Sequence, residues 1–425
     1  MSINRAIEPA INLIESVVLP KVDVVTLDNG VQAHVINAGE QEVVKIELLF
    51  KAGKWFETKN LVSDFTNRML REGTERRTGK EIADIFDYHG ANVNYASAYE
   101  TAGAVMYSLS HKAEILIPLL HEVFTEAIFP ANEYDTIANN RKQRLKVDLE
   151  KNDFVANRTF VDALYGQQHP YGRVTKFEDF DTMSPADLRN FYKQYYNPAN
   201  LTIIVSGQVK DSLLKELNKY FGSTSWKGEK ANDTISHPTE QSAQLVHHIE
   251  KADSVQSAIM VGNISINKTH PDFLKLSVLN TVFGGYFGSR LMSNIREEKG
   301  YTYGIYSSFA SYPHGGFLEI ATEVGKGVRD NTLKEIEFEI NDLRNNLIDE
   351  EELQIVKNYM SGKILRSIDG PLKLSETIKG LIIYGQTTDY IHNLLKTVRE
   401  VKAEELHELA KKYLDYDKMY KITVG

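Results

Sequence analysis

The sequence predicts an α+β protein of two similar domains, each an antiparallel sheet with helices packed on one face. Three observations predict it. Segments of strand-like alternation interleave with long helical patterns over the whole chain. Its 425 residues, 42% hydrophobic and 25% charged, are globular in composition and too many for one core. The two halves also register on each other. One constant shift places Leu188 on Leu406, Lys193 on Lys411, Tyr195 on Tyr413 and Gly207 on Gly425. The same shift brings Glu133 to Glu351 and Ile137 to Ile355 without a gap.

Residues 1–22 read as an amphipathic N-terminal arm, broken by Pro20. A first domain over 23–222 opens with the hairpin VTLDNGVQAHVI, whose Asp28-Asn29-Gly30 supplies the tight turn. The strand 44–51 follows, then helices over 61–71 and 78–89. Residues 91–109 alternate as two pairing strands about Tyr99-Glu100, and helical patterns fill 112–127, 131–151 and 154–165. The turn His169-Pro170-Tyr171-Gly172-Arg173, a helix at 184–195 and a strand at 201–206 close this half. Residues 223–243, rich in Ser, Thr, Lys, Gly and Asn, form the linker. The second domain, 244–425, runs strand (255–264), helix (271–283), glycine-rich turn, strands (301–324) and helices, ending in a helix at 403–414 and the strand 420–424.

Composition excludes several classes of function. Net charge is −9 and the basic residues are scattered, so no nucleic-acid footprint is present. There is no cysteine, which removes disulfides and thiolate metal sites. The first twenty residues carry Glu8 and Glu15 inside their apolar stretch, unlike a signal peptide, and no apolar run is long enough to span a membrane. The expectation is a cytoplasmic protein without a membrane partner.

The chemistry-bearing stretch is IREEKGYTYGIYSS, 295–308, reached through FGGYFGSRL, 283–291. Arg296 offers a planar fork of donors, and Tyr301 or Tyr303 offers a phenol that can donate to an oxyanion. On these residues alone, a helix-end arginine and sheet-filling tyrosines are the favoured reading.

Two motifs decide between those readings. The run LVSDFTNRMLREGT, 61–74, followed by ERRTGKEIADIFDYHGANVNYAS, resembles the opening of the pitrilysin/insulinase metallopeptidases, the inverzincins. The second-half stretch, with Gly284-Gly285, Ser289-Arg290-Leu291, Arg296-Glu297, Gly300 and Tyr303, resembles the second domain of their two-domain, processing-peptidase-like branch. In that family the first helix carries H-x-x-E-H, two zinc-binding histidines and a glutamate that activates the bound water. Here Asp64 and Arg68 stand at the histidine positions and Asn67 at the glutamate. The third ligand position falls near Gln143, Arg144 or Leu145, none of them a carboxylate. Arginine cannot shed its proton to bind a cation and asparagine is no general base, so this chain is expected to hold no zinc of its own. A polar network is expected in its place.

The resemblance implies that Arg296 and Tyr303 meet substrate near the scissile bond, with Tyr301 the rival phenol and Gly284-Gly285 a substrate-handling turn. It also implies one half of a clam-like chamber whose zinc sits on a heterodimeric sister chain, or a homodimer in its absence, with peptide as substrate. Peptidase activity is then expected only from the pair. The alternative is an inactive structural or peptide-binding homologue. The strand ANVNYAS, 91–97, resembles the family's substrate-pairing edge, with Tyr95 where a small residue is usual.

Overall fold

The computed structural model describes residues 17–425. The expected arm lies outside the described residues except for 17–22, which carry no helix or strand; Val17, Leu19 and Val22 rest on the second core. The first half contains β1 (Asp23–Thr26), β2 (Gln32–Asn37), β3 (Val43–Phe50), α1 (Val62–Met69), α2 (Gly79–Tyr88), β4 (Asn92–Ser97) and β5 (Ala102–Leu109). It continues through α3 (Ser110–Thr125), α4 (Ala131–Leu149), α5 (Asn152–Tyr165), α6 (Phe177–Thr182), α7 (Pro185–Tyr195), β6 (Leu201–Gly207) and α8 (Asp211–Phe221). The second half contains β7 (Val246–Ile249), β8 (Gln256–Ile264), α9 (Phe273–Phe283), β9 (Thr302–Tyr312) and β10 (Gly315–Gly325). It ends with α10 (Arg329–Asn345), α11 (Glu350–Ser367), α12 (Pro371–Ile383), α13 (Asp389–Glu400), α14 (Ala403–Tyr413) and β11 (Tyr420–Val424).

Local chemistry accounts for several of these boundaries. Gly30 takes φ +91° in the first hairpin turn, where a side chain would be strained. Thr78 with Glu81, and Ser184 with Asp187, form capping boxes that start α2 and α7. The short elements α6, α8 and β7 have no counterpart in the sequence reading.

The strand order is β1-β2-β6-β3-β5-β4 in the first sheet and β7-β11-β8-β10-β9 in the second. Each sheet is antiparallel except for one pair, β2 with β6 and β7 with β11, so both are mixed rather than purely antiparallel. The parallel pair arises because the last strand of each half returns through helices to insert beside an early strand, β2 in the first half and β7 in the second, a connection no hairpin can make.

The predicted repeat places α5 and α12 in equivalent positions, and each packs on the other half's sheet. α5 lies on β8 and β11, while α12 lies on β6 and β2. Strand alternation makes this exchange workable. In β8, Ile259 and Val261 join the second half's own core, whereas Ala258 and Met260 join a core shared with Phe160 of α5. Each sheet therefore buries both faces, one under its own helices and one partly under a borrowed helix. The exchange is clasped by charge. Lys45 of β3, fully buried, pairs with Glu47 at 2.9 Å and with Glu376 of α12, and Lys379 holds Glu47 at 2.9 Å.

Candidate functional site

α1 carries Asp64, Asn67 and Arg68 on adjoining turns. Leu61 at its N-cap sits at φ +73° and has no side-chain oxygen to cap with. Glu57 reaches in instead, accepting the Ser63 N–H at 2.8 Å, while Arg173 of the His169–Arg173 turn approaches its other oxygen at 3.4 Å. Burial outweighs both partners and pushes the Glu57 carboxyl up to about 7.

Asn67 is buried and saturated. Its amide donates to the Gly103 carbonyl at 3.0 Å and its oxygen accepts from the Tyr196 hydroxyl at 3.1 Å. Beneath it, rings close the space: Tyr95 stacks on Phe124, Phe124 on Phe50, and Phe50 packs against Tyr196. The Tyr95 hydroxyl is buried without an acceptor among the described residues. The Arg68 Nε–H is shared between both Asp64 carboxylate oxygens, at 2.9 and 3.0 Å, and a second guanidinium, Arg141, approaches Asp64 at 3.4 Å.

Arg144 does not join this group. The inward face of α4 carries Tyr134, Ala138, Arg141 and Leu145, spaced as one helical stripe, and Arg144 points elsewhere, to Asp148 at 2.9 Å. The position facing α1 is thus Leu145, flanked one turn earlier by Arg141, which the sequence reading missed. A 3.6-residue count from the buried Tyr134 and Ala138 could have found it. These residues do not fit a zinc ion: the one carboxylate is neutralised by two guanidiniums and the asparagine is committed to buried hydrogen bonds. Among the described residues, no three of His, Asp or Glu gather as a ligand set.

The second-half stretch is differently built. α9 ends at Gly284, a π-helical turn spans Met292–Glu298, and Gly300 at φ +67° releases the chain into β9, an edge strand. Gly284 is buried against that strand: its carbonyl accepts the Ser307 N–H at 3.0 Å, and a Cβ there would stand 2.5 Å from Ser307 Oγ. A Cβ on Gly285 would meet Thr281 at 2.8 Å. Close packing therefore requires both glycines, whatever their part in substrate handling. Arg290 is bound bidentately by Glu352 at 2.8 and 2.9 Å.

Arg296 is different. Its guanidinium lies 4.6 Å over the ring of Phe287, itself exposed, and makes no ion pair among the described residues. Tyr303 is 92% exposed and its hydroxyl has no hydrogen bond among the described residues, whereas Tyr301 is half-buried against the second core. Tyr303 lines a cavity of about 860 Å³ between α4–α5 and the sheet face of β8–β10, and Arg144 lines the opposite wall. Glu319, Glu323 and Tyr306 also line it, each with its pKa raised by burial. Arg296 is not among its lining residues. The structure thus brings Arg144 and Tyr303 to one cavity, Asp64, Asn67 and Arg68 to one helix, and leaves Arg296 on the surface beside Phe287.

No helix of the described residues is long and apolar enough to cross a membrane. Residues 34–172 match the family described as insulinase, peptidase family M16, and residues 182–360 match the M16 inactive domain. The chain is similar to an uncharacterized zinc protease of Bacillus subtilis, YmxG, at 27% identity over 92% of this chain and 95% of that one. It is 24% identical to an uncharacterized zinc protease of Mycobacterium leprae, over 83% of this chain and 79% of that protein. The fold matches a crystal structure of a peptidase M16 inactive domain from Pseudomonas fluorescens, TM-score 0.87 at 26% identity, covering 95% of this chain and 98% of that one. It also matches a protease from Helicobacter pylori, TM-score 0.85 at 17% identity, covering 96% and 100%. Two matched halves, a shared two-domain fold and relatives named as zinc proteases agree: the chain belongs to the M16 peptidase family, the insulinase–pitrilysin family.

Proposed function

We propose that this chain is the subunit of a two-chain M16 peptidase that binds no zinc itself and lends Arg296 and Tyr303 to a site on a zinc-bearing sister chain. The observation that carries the reading is the contrast in commitment. Asp64 and Arg68 are locked to each other and Asn67 to Gly103 and Tyr196, whereas the Tyr303 hydroxyl and the Arg296 guanidinium have no polar partner among the described residues. Groups without partners on an exposed edge are free to serve a second molecule.

In that role the Tyr303 O–H donates to the peptide oxygen as it gains negative charge, and Arg296 donates to a neighbouring substrate carbonyl. The hydrogen-bonding edge of β9 lies beside both, where an extended peptide or a partner strand can add. The zinc belongs to the sister chain, since the residues on α1 do not fit it.

The test is reconstitution. The isolated chain should cleave no peptide. Mixing it with an M16 sister chain that carries intact H-x-x-E-H should produce cleavage that a chelator stops, and Arg296→Ala should remove most of it. No gain on mixing, or an Arg296→Ala mixture as fast as the parent, would leave an inactive, structural M16 homologue as the better description.

A further inference from the structure

A second cavity, of about 330 Å³, lies where the two halves meet, away from Arg296 and Tyr303. Its walls are unlike those of the larger one. Leu49, Trp55 and Phe56 from the first half and Ile382 and Ile383 from the borrowed helix α12 make it largely apolar. Trp55 is held rigidly, stacked on His314 of the second half with ring centroids 3.8 Å apart.

One polar group in that wall is unbalanced. Glu100, in the β4–β5 turn, is largely buried, and its Oε1 accepts the Tyr171 hydroxyl at 2.6 Å. The residue's own backbone N–H also bonds the carboxyl, but no ion pair reaches it among the described residues. Burial accordingly raises its pKa. The nearest candidate cation along the wall, Lys51, is already spent: both Asp233 oxygens bind its ammonium, at 2.7 and 2.8 Å. The cavity thus carries one carboxyl with no cation paired to it among the described residues, and an apolar body large enough for a small molecule. A desolvated carboxylate of this kind is costly to keep unless a cation balances it.

We propose that this junction cavity binds a small organic ammonium ion carrying an apolar group, with the ammonium on Glu100 and the apolar group between Trp55 and the Ile382–Ile383 pair. A free anion is disfavoured, because the only lysine there is neutralised. A neutral molecule of the same shape gains the apolar contact but not the charge-assisted hydrogen bond. The site stands apart from the peptidase reading: failure to reconstitute cleavage leaves it untouched, and failure to bind amines leaves that reading untouched.

Trp55 is one of two tryptophans, so Trp226→Phe makes it the sole fluorescent reporter. Titration of that full-length variant with cyclohexylmethylamine, cyclohexylmethanol and cyclohexanecarboxylate separates the cases, with calorimetry on the parent chain as a second readout. The expected result is saturable binding of the amine, at least about tenfold weaker binding of the alcohol, and none of the carboxylate. Glu100→Gln keeps an acceptor for Tyr171 and should erase the preference for the amine. Should that variant not fold, Ile383→Phe narrows the cavity without touching the carboxyl and should weaken the amine by a similar factor. No saturable response, equal affinity for amine and alcohol, preference for the carboxylate, or unchanged amine binding in the variants overturns the proposal.

Discussion

Helix α1 of the first half and the segment from Arg296 to Tyr303 of the second present opposite solutions to placing polar side chains. On α1 the three residues at the motif positions are answered within the chain: Asn67 by Gly103 and Tyr196, Asp64 by Arg68 and Arg141. Buried polar groups must be satisfied locally, because leaving one unmade costs its full desolvation. On β9 the hydroxyl of Tyr303 stands in solvent and Arg296 rests on an exposed ring. Water satisfies these groups, so nothing in the fold requires them to be tyrosine and arginine. The first region holds its polar side chains inside the fold; the second leaves an arginine and a tyrosine without polar partners among the described residues.

The sharpest way to break that contrast is to remove one hydroxyl. In the reconstituted mixture Tyr303→Phe should lower kcat by roughly 100- to 1,000-fold, about 3–4 kcal/mol, with little change in KM. Tyr301→Phe, altering a ring packed on the second core, should leave kcat within about threefold. Equal effects of the two would remove the assignment of Tyr303. The thermal stability of Tyr303→Phe should match the parent, as befits a group with no internal partner.

A comparison of two regions presumes that the halves hold together, and the exchanged helices supply that. Lys45→Met leaves Glu47 and Glu376 without their shared buried cation, a loss of about 3 kcal/mol. The figure sits at the low end for such pairs because Lys379 still holds Glu47. Urea unfolding measures it, and an unshifted midpoint would show that apolar packing alone joins the halves. Asn67→Ala should cost less, roughly 1–3 kcal/mol, by stranding the Tyr196 hydroxyl and the Gly103 carbonyl. Its mixture with a sister chain should stay fully active, since α1 takes no part there. A drop in cleavage without a drop in stability would mean that α1 still touches substrate.

Much of this was legible in the residues. Period-2 alternation at 91–109 and the repeat spacing located most elements of both halves, because each element's apolar face is written in its own segment. The exchange of α5 and α12 was not, since helix periodicity says which face is buried but not whose sheet buries it. Arg144 illustrates the same limit. Motif counting fixed its neighbourhood to within a helical turn, but only the stripe through Tyr134, Ala138 and Leu145 fixes which side faces α1. The second-half pair was legible as types and spacing; that Tyr303 is bare and Tyr301 packed depends on the irregular start of β9, where pairing with β10 shifts between Thr302 and Ile305, and on a core assembled from distant segments.

The smallest effect concerns proton balance around α1, where two tendencies oppose each other. Glu57, raised to about 7, holds its proton in the folded state where the unfolded chain has released it. Its contribution to stability is full below about 4.5 and is lost as pH rises towards 7. His169 and His121, each lowered by burial to about 4, behave in the opposite sense. Their contribution is full above about 6.5 and is lost as pH falls towards 4. Between about 4.5 and 6.5 the slopes cancel in part, so the parent chain should show a shallow dependence there. Glu57→Gln keeps an acceptor for the Ser63 N–H but removes one titrating carboxyl, weakening the opposition to the histidines. Its urea midpoint should therefore climb more steeply with pH across that window than the parent's. Parallel profiles for the two proteins would mean that Glu57 is ionised in the folded state, held by Arg173 and the end of α1 rather than neutralised by burial.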